Sequence, residues 1–160
     1  ILSVLEMTGK PREYQMEKLE SLINDFDLQK VRKNLGDQLS GGERRRTEIA
    51  RCLANDPKFI MLDEPFAGVD PIQVEEIQNI VWRLKYRNIG ILITDHNVDE
   101  TLAITDRAYL LFEGRILFQG SPEELAENKI VKEKYLTTGF VLRKKDFQLS
   151  DEQKRAEEGK

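Results

Sequence analysis

Three places in this 160-residue chain carry side chains able to do chemistry together. Two adjacent carboxylates, Asp63 and Glu64, follow the apolar run Phe59-Ile60-Met61-Leu62. The single histidine, His96, comes soon after a second run, Ile91-Leu92-Ile93. The third place is Leu39-Ser40-Gly41-Gly42-Glu43, which has the form of a helix start. Ser40 at the N-cap and Glu43 at N3 make a capping box. Gly41 and Gly42 then fill the first turn, where each glycine costs about 1 kcal/mol relative to alanine. The chain's other box, Ser121-Pro122-Glu123-Glu124, places proline at N1, as stability alone favours. The glycines therefore point to a close backbone approach, and the free N–H groups of a helix start suit a phosphate. In a parallel sheet the strand ends carrying Asp63, Glu64 and His96 share one edge, where open α/β sheets bind ligands. Such a set suggests phosphoryl transfer. One carboxylate holds Mg²⁺, the other orients or deprotonates a water, and the histidine contacts the γ-phosphate. Taken singly, each feature has a plainer reading: a cap, a turn, a structural histidine.

The elements that must position these groups are legible as hydrophobic periods. Residues 1–38 read as helical, with Leu2, Leu5 and Met7 in a first piece broken by Gly9-Lys10-Pro11. Tyr14, Met16, Leu19, Leu22, Ile23 and Phe26 continue it, Val31 and Leu35 follow, and Gly36-Asp37 ends it. The helix after Ser40 carries Arg44-Arg45-Arg46, which opposes the helix dipole. The run is either a solvated face or a set of partners for an anion or for carboxylates. Ile49, Ala50, Cys52, Leu53 and Ala54 are expected on its buried face, and Asn55-Asp56-Pro57 stops it. Phe59 to Leu62 reads as a strand covered on both faces, as in parallel sheets. Asp70, Pro71 and Gln73 start the next helix in a box-like pattern. That helix runs to about Arg87 and is expected to bury Ile72, Ile77, Ile80, Val81 and Leu84. Ile91-Leu92-Ile93 is a second buried strand, and a short helix is expected near Asp99 to Ile104. Two strands around Glu113-Gly114 form a hairpin. Helices are expected from Ser121 and over Val131 to Leu136, and residues 143–160 form a charged tail, disordered from Ser150. Strand and helix alternate, so the class is α/β with a mainly parallel sheet.

Composition narrows the function classes. Net charge is −4, with 25 basic and 29 acidic residues well mixed, which gives no support for a nucleic-acid surface. Cys52 is alone, so no internal disulfide forms. No apolar run approaches the roughly 18 residues of a membrane span, and no signal peptide is present. These features predict a soluble, cytoplasmic protein. The opening Ile1-Leu2-Ser3-Val4-Leu5-Glu6, without methionine, suggests a piece of a longer protein.

At this point the residues resemble a known family. Leu39-Ser40-Gly41-Gly42-Glu43 is similar to the signature motif of ABC-type ATPases. Phe59 to Glu64 resembles their Walker B strand with its catalytic glutamate. Ala67-Gly68-Val69-Asp70 resembles the D-loop, and His96 the switch histidine. The four occur in the family's order, with 23 positions from Ser40 to Asp63, and the resemblance covers about residues 1–140. More narrowly, Glu43-Arg44-Arg45-Arg46, Glu64 to Pro71 and Tyr135 to Phe140 resemble the ATPase subunits of bacterial lipopolysaccharide exporters. ATPases of branched-chain amino-acid importers share much of this. A soluble ABC ATPase and a non-hydrolysing binding module are the other classes.

The resemblance implies an incomplete ABC-type P-loop ATPase fold: a helical subdomain plus the C-terminal part of the core sheet. Residues 1–38 would belong to the helical subdomain, 39–120 to the signature helix and α/β core, and 121–142 to C-terminal helices. It implies a head-to-tail dimer of two copies sandwiching ATP, coupled to transmembrane permease subunits at the inner face of the cytoplasmic membrane. Ser40, Gly41, Gly42 and Glu43 would serve the γ-phosphate held by the other copy. Asp63 would bind Mg²⁺ through water, Glu64 would be the general base, His96 a γ-phosphate sensor and Asp70 a link across the dimer. No G-x-x-x-x-G-K-[ST] phosphate loop occurs in the chain. The sheet should therefore have a gap or exposed edges, and the chain alone should not hydrolyse ATP.

Overall fold

The computed structural model describes residues 1–134, 136 and 142. The expected tail, 143–160, and most of the stretch 135–140 lie outside the described residues. Two compact units divide the chain: residues 1–94, and a second unit that begins at Asp95.

In the first unit, α1 (Leu2–Met7) and α2 (Arg12–Asp25) pack on each other. Leu5, Leu19, Leu22, Ile23 and Phe26 are buried at helical spacing. The helical reading of 1–38 fails after Asp25. Residues 27–34 are turns, with Asp27 in the left-handed region at φ +49°. A short 3₁₀ turn, Gly36–Gln38, precedes Leu39. Met7 and Leu35 are exposed: Met7 lies two residues from Leu5, on the far side of α1, and Leu35 belongs to no helix.

Helix α3 (Gly41–Leu53) starts at Ser40 and buries Gly42, Ile49, Ala50 and Leu53. Cys52 is exposed, against expectation, because its position falls to one side of that stripe. Asp56, at φ +49°, turns the chain out of the helix before Pro57. Tyr14 and Lys18 of α2 both donate to the Asp56 carboxylate, at 2.7 and 2.5 Å. This fixes the end of α3 against α2.

Strand β1 (Phe59–Asp63) pairs in parallel with β2 (Gly90–Thr94), in the register Phe59↔Gly90 to Asp63↔Thr94. The expectation of a strand covered on both faces is corrected. Ile60 and Leu62 are buried, whereas Phe59 is 56% and Met61 71% exposed. Alternation sends these pairs to opposite faces. Helix α4 (Pro71–Tyr86), packed on α3 and β2, does not cover the second one. Within α4, Val74, Ile77, Gln78, Ile80, Val81 and Leu84 are buried. Ile72 is 74% exposed, contrary to expectation, since it falls on the side of the helix opposite the stripe of Val74, Ile77 and Val81. Asn88, at φ +55°, ends the connection.

In the second unit, α5 (Val98–Leu102) is shorter than expected and starts from Asn97, whose side chain accepts the Glu100 N–H. Strands β3 (Ala108–Phe112) and β4 (Arg115–Gly120) form the expected antiparallel hairpin. Glu113 and Gly114 both take positive φ, +48° and +74°, as a two-residue hairpin turn requires. Helix α6 (Pro122–Glu127) closes its predicted box, with Ser121 N–H to Glu124 Oε2 at 2.8 Å and Glu124 N–H to Ser121 Oγ at 3.2 Å. Helix α7 (Lys129–Lys134) follows. Leu102, Leu125, Val131 and Leu136 form the core of this unit. The two strand pairs are separate two-stranded sheets among the described residues, as the expectation of an interrupted sheet requires.

Candidate functional site

The helix start at Ser40 is built as its sequence dictates. Glu43 N–H donates to Ser40 Oγ at 3.3 Å, and Ser40 N–H donates to Glu43 Oε2 at 2.8 Å. The bond from the Ser40 backbone N–H, with a smaller contribution from the Ser40 side chain, holds the Glu43 carboxyl below its ordinary range. The Gly42 N–H donates to Gln73 Oε1 at 2.8 Å. A Cβ on Gly41 would meet only the Gly68 carbonyl oxygen, at 3.5 Å. The start of α3 thus lies against the loop that links β1 to α4.

That loop carries Glu64 and Asp70. Asp70 caps α4, its Oδ1 accepting the Ile72 and Gln73 N–H groups at 3.1 Å each. The box expected at Asp70 is not closed by Gln73, whose side-chain oxygen instead takes the Gly42 N–H. Asp63 ends β1 on the exposed face, opposite Thr94, whose hydroxyl donates to Asp63 Oδ1. Glu64 leaves the strand in the left-handed region, at φ +46°. Its N–H donates to the Thr94 carbonyl at 2.7 Å, and its carbonyl accepts from Arg45 Nη2 at 2.9 Å.

The arginine run is resolved by this geometry. Gly42, Arg45, Arg46 and Ile49 share one side of α3, three and four residues apart. Arg45 reaches Glu64 and Glu48, and Arg46 pairs with Glu76 of α4. Arg44 points elsewhere and lines a cavity with Asp37, Glu48 and Arg51. Helical spacing alone could have separated Arg45 and Arg46 from Arg44. No sequence signal marks Thr94, and Gln73 is marked only as the box partner of Asp70.

His96 belongs to the second unit, two residues beyond β2. It is exposed, its Nδ1 lying 3.8 Å from Oδ1 of the buried Asp95 side chain. The same oxygen accepts the Asn97 N–H at 2.8 Å. The structure thus brings Ser40–Glu43, Glu64 and Asp70 into one linked set, with Asp63 beside Glu64.

Among the described residues no group of three or more His, Cys, Asp or Glu stands ready to cage a metal. Asp63 still suits Mg²⁺, which takes one or two carboxylates and completes its shell with water and phosphate oxygens. Its carboxylate is exposed at the strand end, next to a hydroxyl. Among the described residues no helix is long and apolar enough to cross a membrane.

Comparison with known proteins places this arrangement. The profile of the family described as "ABC transporter" matches residues 2–67. The lipopolysaccharide export system ATP-binding protein LptB of Acidithiobacillus ferridurans is 50% identical over 142 residues, which is 89% of this chain and 59% of that protein. LptB of Escherichia coli K12 is 48% identical over 130 residues, 81% of this chain and 54% of that protein. The chain therefore spans between half and three-fifths of the length of these relatives. A crystal structure of an ABC transporter's ATP-binding cassette in its ADP conformation superposes with a TM-score of 0.69 at 33% identity, over 78% of this chain and 50% of that one. The site motifs, the fold and these relatives agree, and over the stretch they share the chain is similar to ABC transporter ATP-binding domains.

Proposed function

We propose that this chain is the signature and Walker B part of an ATPase that drives lipopolysaccharide export. The observation that carries the ATPase reading is the placement of Asp63 and Glu64 at the C-terminal end of a parallel strand pair, tied to the helix start at Ser40 through Arg45. The relatives named for lipopolysaccharide export support the substrate. In this reading Ser40, Gly41, Gly42 and Glu43 face the γ-phosphate of ATP held by a second copy, head to tail. Asp63 holds Mg²⁺, which when bound neutralises charge on the phosphates. Glu64 takes a proton from the attacking water as its oxygen bonds to the γ-phosphorus and the bond to the ADP oxygen breaks. His96 contacts the γ-phosphate, and Asp70 links the two copies. Residues 1–38 contribute to the surface that docks on transmembrane permease subunits, which keeps the ATPase at the inner face of the cytoplasmic membrane. The phosphate loop comes from sequence beyond these 160 residues.

The test is steady-state ATP hydrolysis by the full-length polypeptide, with and without the permease subunits of a lipopolysaccharide exporter. Glu64→Gln should slow turnover roughly 10²–10⁴-fold. Near-normal turnover would reject Glu64 as the base. Failure of the wild type to bind or respond to those permease subunits would reject the substrate assignment.

A further inference from the structure

We infer that Arg45 is a positioning residue for Glu64, and this rests on the reading of Glu64 as the base. A non-glycine residue in the left-handed region carries a backbone cost, and it persists only where its surroundings hold it. Glu64 is such a residue, at φ +46°. Its peptide is held on both sides. On one side its N–H donates to the Thr94 carbonyl at 2.7 Å, which continues the β1–β2 ladder one step past Asp63. On the other, its carbonyl accepts from Arg45 Nη2 at 2.9 Å, and from the Ala67 N–H at 3.2 Å.

The arginine is itself aimed. Its Nη1 donates to Glu48 Oε2 at 3.0 Å, one turn further along α3, and its side chain is only 25% exposed. A planar guanidinium held at one nitrogen presents the other in a fixed direction. A charge-assisted bond to a carbonyl is also stronger than the neutral bond from Ala67. Arg45 lies two residues after Glu43 on the same helix. A shift of the helix start on meeting a phosphate is thereby passed to the backbone that bears the Glu64 carboxylate. Arg45 touches neither water nor nucleotide in this reading. It fixes where the base stands.

The experiment is ATP turnover by the full-length polypeptide carrying Arg45→Met, Arg45→Lys, Glu64→Gln and the double change Arg45→Met/Glu64→Gln, each checked for its melting temperature. Misplacing a base by a fraction of an ångström lowers kcat, so Arg45→Met should lose about 10- to 100-fold in kcat, with KM for ATP within about twofold. Arg45→Lys keeps a charged donor for the carbonyl without the fork that aims it, and should recover only part of the loss. In the Glu64→Gln background, Arg45→Met should lower the residual turnover no further, since two residues acting through one group are not additive. Unchanged kcat in folded Arg45→Met, or a full additional loss in the double variant, would overturn the inference. A wild type without ATPase activity would instead overturn the functional reading on which it rests.

Discussion

The side-chain oxygen of Gln73 accepts the N–H of Gly42 at 2.8 Å, joining the first turns of α3 and α4 across 31 positions of sequence. A Cβ at position 42 would lie 2.6 Å from Gln73 Cδ, so a larger residue there must displace the Gln73 side chain and break this bond. Gly41 differs. A Cβ there would meet only the Gly68 carbonyl oxygen, at an ordinary 3.5 Å. The chain's own packing does not ask for a glycine at 41, as the proposed approach of a phosphate would.

The two glycines should therefore respond differently to alanine. Gly41→Ala should leave the melting temperature equal or higher, since alanine favours the helix by up to about 1 kcal/mol. ATP turnover of the full-length polypeptide should nevertheless fall about 10-fold or more, because the added methyl group displaces the phosphate. Unchanged turnover would return both glycines to packing and capping. Gln73→Ala should cost about 0.5–1.5 kcal/mol in urea unfolding, the net worth of one hydrogen bond. Gly42→Ala made on top of Gln73→Ala should then cost nothing further.

Asp70 separates stability from communication in the same way. Its two bonds to the Ile72 and Gln73 N–H groups are an N-cap, and Asp70→Ala should destabilise the fold by about 1 kcal/mol. Asn caps as well as Asp, so Asp70→Asn should restore stability. If Asp70 also links two copies, Asp70→Asn should fold normally and still hydrolyse ATP more slowly than the wild type. Equal turnover would leave it a cap alone.

The parts of the site legible in the sequence are those built within a few residues. Both capping boxes close at Ser40–Glu43 and Ser121–Glu124 because each needs only a four-residue turn. The hairpin at Glu113-Gly114 and the strand end at Asp63 follow from equally local patterns. What the sequence hides is non-local. Gln73 completes a plausible box on paper, but its amide finds a better partner in another helix. Phe59 and Met61 look like core because hydrophobicity reports the wish to be buried, not whether a covering element is at hand. Arg45 lies between these cases. Its place in the stripe of Gly42 and Ile49 could be counted, whereas its partner, the Glu64 carbonyl, could not.

The absence of a phosphate-loop motif gives a direct expectation for these 160 residues. The groups present would meet a γ-phosphate at its far side, while the lysine and the backbone cradle for the β-phosphate are missing. Titration calorimetry of the chain with Mg-ATP should give no binding in the micromolar range. Tight binding would mean that another part of this chain holds the nucleotide.

The junction of α2 with the end of α3 sets an acid limit on stability. Lys18 and then Tyr14, through their hydrogen bonds, hold the Asp56 carboxyl below its usual value, against a smaller opposing effect of burial. The same contact holds the Tyr14 hydroxyl above its usual value. An unfolded Asp56 binds its proton near pH 3.9, and the folded one does so only at lower pH, so stability here rises with pH. The contribution is complete above about pH 4–5 and is lost as pH falls through the lowered folded value. Tyr14 works in the other direction. Its contribution is present below about pH 10 and disappears as pH rises through the raised folded value. Both groups lie near the surface, so the effect belongs to the class of exposed pairs. At pH 7, Asp56→Asn should lower the melting temperature by about 1–4 °C. The gap between variant and wild type should close as pH drops below about 3.5, because protonation turns Asp56 into a neutral group much like Asn. A gap that persisted unchanged to pH 2.5 would show that Asp56 acts through its backbone, at φ +49°, rather than through its charge.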